Sequence, residues 1–446
     1  MLVTLMIVSL LVMILLGVPI AVALAGSSLL WVVLSGTVPE ITVIHRMVNG
    51  VDSFPLLAVP FFIMAGNLMN SAGITRQIFN FAVACLGWLK GGLGHVNIGA
   101  SVVFAGMSGT AVADAGGLGT IEIKAMRDHG YDVRTAVGIT AASSTIGPIV
   151  PPSLPLVIYG VVANASISSL FIAGILPGLL MALLLSAAVA VYAHRNGIGR
   201  DARFSLRRVF WTFLDAFLPL LTPAIIIGGM AFGLFTPTEA AVAACAYALL
   251  LSVVIHRVFN TVLTALGRPA RYSVLSFRQF LRVSMDTIET TAVVLFIVAG
   301  ASIFGWILTT TRTTEAIGQW ILTVASDPIM FLLMVNGFLL IVGCFMETIA
   351  AITILTPVLL PVAVQFGIDP VHFGIIMVLN LMIGLLTPPV GMVLYVLARV
   401  ASVSFEECVR AVLPFLVPLL LALALVTFVP QTTTFLPEVL RSFGYL

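Results

Sequence analysis

The stretch from Ser143 to Gly160 reads SSTIGPIVPPSLPLVIYG. Its apolar content is that of a membrane span, yet Pro148, Pro151, Pro152 and Pro155 fall within eight residues. Each proline removes a backbone donor and crowds the preceding turn, so one continuous helix cannot run through it. In lipid, a broken helix is tolerated only where the freed backbone groups face protein, ions or water. The segment at about 135–160 therefore reads as two half-helices around an interruption. One proline would make a passive kink; four are more than a kink requires.

The rest of the chain agrees with a membrane setting. Of 446 residues, 60% are hydrophobic and only 9% charged, and the mean hydropathy is +1.18. Soluble domains carry about 25% charged residues, so this composition cannot build a water-soluble surface. The apolar runs are long and continuous, unlike the alternating ten-residue segments of a β-barrel. The fold class is an all-α polytopic membrane protein. The first basic residue is Arg46, so the basic start of a secretory signal is missing and the N-terminal run reads as a retained span. Cys85, Cys245, Cys344 and Cys408 lie far apart and read as apolar packing residues. No nucleophile–histidine–acid order, paired haem histidines, P-loop or metal-ligand cluster appears. His95, His129 and His372 have no partners at ligand spacing and read as structural. A net charge of +2 gives no footing for a nucleic-acid partner, and no enzymatic or redox function is expected.

Segments able to span or half-span lie near 2–35, 54–71, 93–107, 110–123, 135–160, 168–193, 211–235, 238–256, 287–308, 329–345, 349–366, 372–398 and 411–430. The first is too long for one straight span, and Gly17 and Pro19 either kink or divide it. Arginine and lysine collect in five loops, around 76–90, 124–134, 195–208, 257–282 and 399–410. All five are cytoplasmic on one condition. Residues 93–123 must form a re-entrant hairpin entered from the cytoplasm, and 329–366 a second one opening outward.

A repeat points the same way. Pro151–Pro152, Tyr159, Ala165–Ser166 and Pro177 match Pro388–Pro389, Tyr395, Ala401–Ser402 and Pro414 at a near-constant offset. Hairpins opening to opposite sides make the repeat inverted, and interrupted helices in such repeats are the sequence pointer to a secondary transporter's site. The expected division is 1–51, N-terminal scaffold; 52–180, first repeat; 181–286, scaffold helices and a cytoplasmic interfacial segment; 287–417, second repeat with its broken helix at 372–398; and 418–446, the end of the last span and the tail.

The candidate site residues fall at two tips and two breaks. The first tip, GMSGTAVADAGGLGT, offers Ser108, Gly109 and Thr110, with hydroxyls and approachable carbonyls suited to a hard cation such as sodium. Asp114 is either a ligand or a brace of the hairpin. Facing it, Ser143, Ser144 and Thr145 supply hydroxyls, and Gly147 and Pro148 supply carbonyls freed by the prolines downstream. The second half offers Glu347 and Thr348 at its tip, with Gly384, Thr387, Pro388, Pro389 and Gly391 at its break. Thr236, Pro237 and Glu239 read instead as a helix start with a capping box.

Taken in order, GMSGTAVADAGGLG, STIGPIVPPSLPLVIYG, GLFTPTEAAVAA, METIAAITILTPVLLPVA and GLLTPPVGMVLYV resemble the large membrane subunit of tripartite ATP-independent periplasmic (TRAP) transporters. The likeness spans nearly the whole chain. It implies a permease of the inner membrane working with a separate small membrane subunit and a periplasmic substrate-binding protein. It also implies uptake of an organic acid, such as a C4-dicarboxylate or sialic acid, driven by Na+. The implied architecture is an elevator like that of the ion transporter superfamily, with sodium at the tips and breaks. Where the family pattern leads one to expect aspartate at the second tip, this chain has Glu347, so direct coordination by that carboxylate stays open. A stand-alone di- or tricarboxylate carrier of the same architecture and a channel are the other readings.

Overall fold

A computed structural model describes residues 2–267, 269 and 272–444, with residues 107 and 108 described by their backbone alone. The side chain of the predicted ligand Ser108 and the loop arginines 268 and 271 lie outside the described residues. Among the described residues, twenty-two α-helices follow one another. They are α1 (Leu2–Leu15), α2 (Ile20–Ser35), α3 (Ile41–Val51), α4 (Ala58–Ser71), α5 (Ile74–Leu86), α6 (Gly92–Ser108), α7 (Ala111–Gly116), α8 (Leu118–Asp128), α9 (Val133–Ser144), α10 (Leu154–Ala163) and α11 (Ile167–Arg195). The second half of the series is α12 (Leu206–Ala231), α13 (Pro237–Leu249), α14 (His256–Ala265), α15 (Phe277–Thr310), α16 (Thr313–Val324), α17 (Pro328–Phe345), α18 (Thr348–Gln365), α19 (Pro370–Gly384), α20 (Met392–Ala401), α21 (Phe405–Phe428) and α22 (Gln431–Ser442). Eight helices among the described residues are long and apolar enough to cross a membrane. The chain is an all-helical, polytopic protein.

Of the two readings left open for the run 2–35, division is the one observed: α1 and α2 are separated at Gly17, whose φ is +81°, and Pro19. Two segment boundaries need correction. The run 110–123 is not one helix, because Gly117 turns the chain between α7 and α8. Four short helices, α3, α5, α16 and α22, sit where no spanning segment was expected. They have 11 to 13 residues and a polar face, below the length at which a span shows in composition. The capping box at Thr236–Glu239 is present, with Thr236 N donating to Glu239 Oε2 at 2.8 Å.

Element order repeats along the chain. A long helix, a short helix, a pair joined by a tight turn, a broken helix and a long helix occur as α4 to α11 and again as α15 to α21. At the centre lie the first halves of the two broken helices. Ten of the 12 residues of α9 and 13 of the 15 residues of α19 are buried. A helix apolar and buried all round belongs to a core, not an edge. Contacts between the halves are reciprocal: α10 packs on α18, while α20 packs on α7 and α8.

A polar clasp fixes each central helix to the first arm of its hairpin-like pair. On one side Asn97 Nδ2 donates to Thr140 Oγ1 at 2.7 Å, and Ser143 Oγ donates to Asn97 Oδ1 at 2.5 Å. On the other, Asn380 Nδ2 donates to Asn336 Oδ1 at 2.7 Å, and Asn336 Nδ2 donates to Thr427 Oγ1 at 3.0 Å. All six side chains are buried, so each amide that lost its partner would carry its full desolvation cost. Away from the core, Asp201 Oδ2 accepts from Tyr131 Oη at 2.6 Å and from Leu93 N at 2.8 Å, tying the α11–α12 loop to the start of α6. Burial and this carboxylate push the Tyr131 phenol above its usual range. Replacing Asn336 with Leu is expected to destabilise the protein by about 1–3 kcal/mol through the stranded Asn380 amide. Thermal unfolding of Asn336→Leu, Asn380→Leu and the double variant checks this, and the double should cost less than the sum.

Candidate ion and substrate site

At the first tip, α6 ends on Gly109, whose φ of +62° favours glycine. A Cβ here would also stand 2.7 Å from the carbonyl oxygen of Pro152. The Gly109 carbonyl accepts from Leu154 N at 3.4 Å, so the tip is pinned to the far side of the proline break. Thr110 caps α7, its hydroxyl accepting from Ala113 N at 3.2 Å. The Thr110 carbonyl lies beside Gly147, where an added Cβ would meet it at 3.7 Å. Tip and break are thus in contact, as the sequence suggested.

Across the break, residues 143–160 are buried throughout. The Ser144 and Thr145 hydroxyls donate back to Ala141 O at 2.8 Å and Ala142 O at 2.6 Å, bonds that leave the hydroxyl lone pairs unused. Pro148 differs from expectation, because its carbonyl is not free but accepts from the Ser153 hydroxyl, which in turn caps α10. Asp114 is 2% exposed, and its carboxyl has the Ser101 hydroxyl of α6 as a side-chain neighbour.

The second tip is built differently. Met346 is extended, and Glu347 caps α18, its Oε2 accepting from Ala350 N at 3.1 Å. Glu347 thus serves as the N-cap of α18. Thr348 is 4% exposed and its hydroxyl oxygen has no hydrogen-bond partner, which marks it as an available ligand. Gly384 packs against Gly343 so closely that an added Cβ would lie 2.5 Å from the Gly343 backbone. Thr387 Oγ1 donates to Gly384 O at 2.8 Å and lies 2.9 Å from Cys344 Sγ. Val390 N donates to Cys344 O at 3.2 Å, pinning this tip to its break as Leu154 and Gly109 pin the first.

The peptide bonds Pro151–Pro152 and Pro388–Pro389 are both cis. In exposure the two breaks part company: Tyr159 is 0% exposed, whereas Tyr395 is 55% exposed and Pro388, Pro389 and Val390 are all exposed. One cavity of about 60 Å³ receives residues from both tips and from both helix breaks, among them Thr110, Pro148, Glu347, Thr348, Met382 and Leu385. Among the described residues no cluster of three or more histidine, cysteine or carboxylate side chains exists. The available oxygens are hydroxyls, carbonyls and single carboxylates, a hard-donor set that fits sodium.

Residues 7–432 match the family model described as "Tripartite ATP-independent periplasmic transporter, DctM component". The chain belongs to this family. It is 47% identical over 428 residues to the sialic acid TRAP transporter large permease protein SiaM of Vibrio cholerae, covering 96% of both chains. To the C4-dicarboxylate large permease protein DctM of Pseudomonas aeruginosa it is 37% identical over 387 residues, covering 87% of each. A solved structure of the Alcanivorax borkumensis YdaH transporter shares the fold, with a TM-score of 0.58 at 13% identity over 86% of each chain. The protein is thus a TRAP large permease of the inner membrane, a transport subunit and not an enzyme.

In this DctM-family permease, Gly109, Thr110, Pro148, Glu347 and Thr348 lie at or near one centre, with Gly384 and Thr387 one layer behind the second tip. The sequence reading missed Asn97, Asn336 and Asn380. Their signal was there: asparagines inside otherwise apolar runs, with Asn97 and Asn336 at nearly the repeat offset. The Gly343–Gly384 contact yields a sharp test. Gly384→Ala should force α17 from α19 and sharply reduce folded protein, whereas Gly337→Ala, which meets nothing within 4 Å, should be tolerated. Size-exclusion profiles and melting temperatures of the two variants check this.

Proposed function

We propose that this permease imports an organic acid by sodium-coupled elevator transport, with the two tip-and-break units as its moving part. The observation that carries the reading is one cavity bordered by both tips and both helix breaks. Each tip is held to its own break by one backbone hydrogen bond, so each unit can move as a body. Sodium would be held by Thr110 with the Ser144, Thr145 and Gly147 region on one side. On the other it would be held by Thr348 with Thr387 and neighbouring carbonyls. When bound, the ion supplies positive charge beside an anionic substrate. The chain's own residues supply its oxygens and exclude water.

The cavity has room for a few waters and none for an organic acid, so the reading requires the units to part. The exposed second break and fully buried first break fit a protein open toward one side. With basic loops inside, that side is the cytoplasm. The relatives that handle sialic acid and C4-dicarboxylates place the substrate among carboxylates. The partners in this reading are a small membrane subunit and a periplasmic binding protein, embedded in or docked on the lipid bilayer.

Proteoliposomes carrying the permease and its small subunit, supplied with binding protein and labelled sialic acid or succinate, test the reading. Accumulation is expected only with an inward sodium gradient; uptake indifferent to sodium would sink the coupling. Uptake by the large subunit alone would instead point to the stand-alone carrier. Thr348→Ala and Thr387→Ala should each raise the half-saturating sodium concentration about tenfold, the equivalent of about 1.4 kcal/mol.

A further inference from the structure

A second cavity, of about 610 Å³, adjoins the second hairpin-like pair. Met346, Ile354 and Leu355 border it, whereas Glu347, Thr348 and Ile349 border the cavity between the tips, so the second tip adjoins both. The walls of this groove are stripes of α1, α15, α16, α17 and α18. On α1 the stripe is Ile7, Leu10, Leu11 and Ile14, and on α17 it runs from Phe331 through Val335 to Val342. Both have the three-and-four spacing of a single helix face. Phe304 and Leu308 of α15 and Phe331 of α17 are buried in its floor, while Leu11, Trp320 and Phe338 are exposed at its rim.

Every residue lining the groove is Leu, Ile, Val, Met, Phe or Trp. It offers no carboxylate, hydroxyl, amide or cationic group, so an organic acid or an ion finds no partner in it. A protein helix is poorly matched as well. Helices in membranes associate through small residues and interhelical hydrogen bonds. The seams within this chain follow that rule: Gly343 lies against Gly384, Gly300 against the Ala21 carbonyl, and Gly50 against Ser302. The groove contains no Gly, Ala, Ser or Thr. Large aliphatic, aromatic and thioether side chains pack instead against hydrocarbon, through dispersion alone.

The length of the groove points to one leaflet. From Phe331 to Val342 the α17 stripe spans about 16 Å, half of a hydrocarbon core of ~30 Å. With the basic loops in the cytoplasm, α17 starts on the periplasmic side and its tip lies at depth. Trp320, at the rim, is a residue type that anchors at the membrane–water interface. We propose that the groove seats an acyl chain of a periplasmic-leaflet phospholipid, held by its hydrocarbon and not by its headgroup. The methyl end of the chain lies against Met346, beside the second tip. The chain thereby fills the contact between α1, α15 and α16 on one side and α17 and α18 on the other. This seat rests on the membrane class and the groove, not on sodium coupling or on the substrate.

Proteoliposomes of the full-length chain test this, with phosphatidylcholine carrying a photoreactive diazirine on one acyl chain and adducts located by mass spectrometry. A diazirine near the chain end should label Val342 and Met346, and one near the glycerol should label Phe331 to Val335. Both should exceed labelling of Leu214 and Phe217, exposed apolar residues of α12, by about tenfold. Exchanging choline for glycerol on the same chains should leave the pattern unchanged. Val342→Phe, and Ile14→Phe on the opposite wall, should lower groove labelling and leave α12 labelling as it was. Groove labelling no stronger than that of α12 means ordinary annular lipid and overturns the seat. A reversed depth order, labelling that follows the headgroup, or folded filled variants that label like wild type overturn it too. Loss of labelling when the small membrane subunit is added, or when copies are concentrated enough to pair, means that a protein face covers the groove, and the proposal falls. The wild-type pattern decides the matter should neither filled variant fold.

Discussion

A backbone group inside a bilayer has no water to turn to, and every feature of this permease answers that constraint. Two helices are cut inside apolar segments, where an unpaired backbone group is expensive. The cut ends are then repaired by neighbours: Leu154 N reaches Gly109 O, Val390 N reaches Cys344 O, and Ser153 covers the Pro148 carbonyl. Each repair comes from, or lies beside, a helix turn that is itself interrupted. The result is two irregular patches that satisfy one another well enough to stay folded, yet keep hydroxyl and carbonyl oxygens available for a cation.

The two units use different chemistry for the same task. The first tip relies on glycine: Gly109 adopts a left-handed conformation and brings the backbone against Pro152. The second has an extended Met346 and a carboxylate cap at Glu347. A glutamate occupied as a cap is fixed by the α18 amide it accepts from. The hydroxyl of the neighbouring Thr348 is left without a hydrogen-bond partner. Behind both tips, buried asparagines specify register between helices that apolar packing alone would let slide.

Much of this was legible in the sequence. Prolines are stiff and donor-free wherever they stand, so the breaks at 143–160 and 384–391 could be located from residue type alone. Composition settled the helical membrane class, and the Thr236–Glu239 cap followed from spacing, because capping is local. The short helices α3, α5, α16 and α22 escaped because amphipathic pieces of 11 to 13 residues leave no span-length apolar run. The fate of Pro148 O escaped as well, since Ser153, five residues on, could not be seen from spacing to turn back on it.

Chain identity by itself determined where the helix must break, which residues carry oxygens there, and that the interruption occurs twice. Tertiary structure alone decided which of those oxygens remain available. Availability is a matter of distance between segments far apart in sequence: the Gly109 carbonyl is used by Leu154 N, whereas the Thr348 hydroxyl is buried and unpartnered. Hydrogen bonds and desolvation act over a few ångströms, and only the folded chain sets those distances.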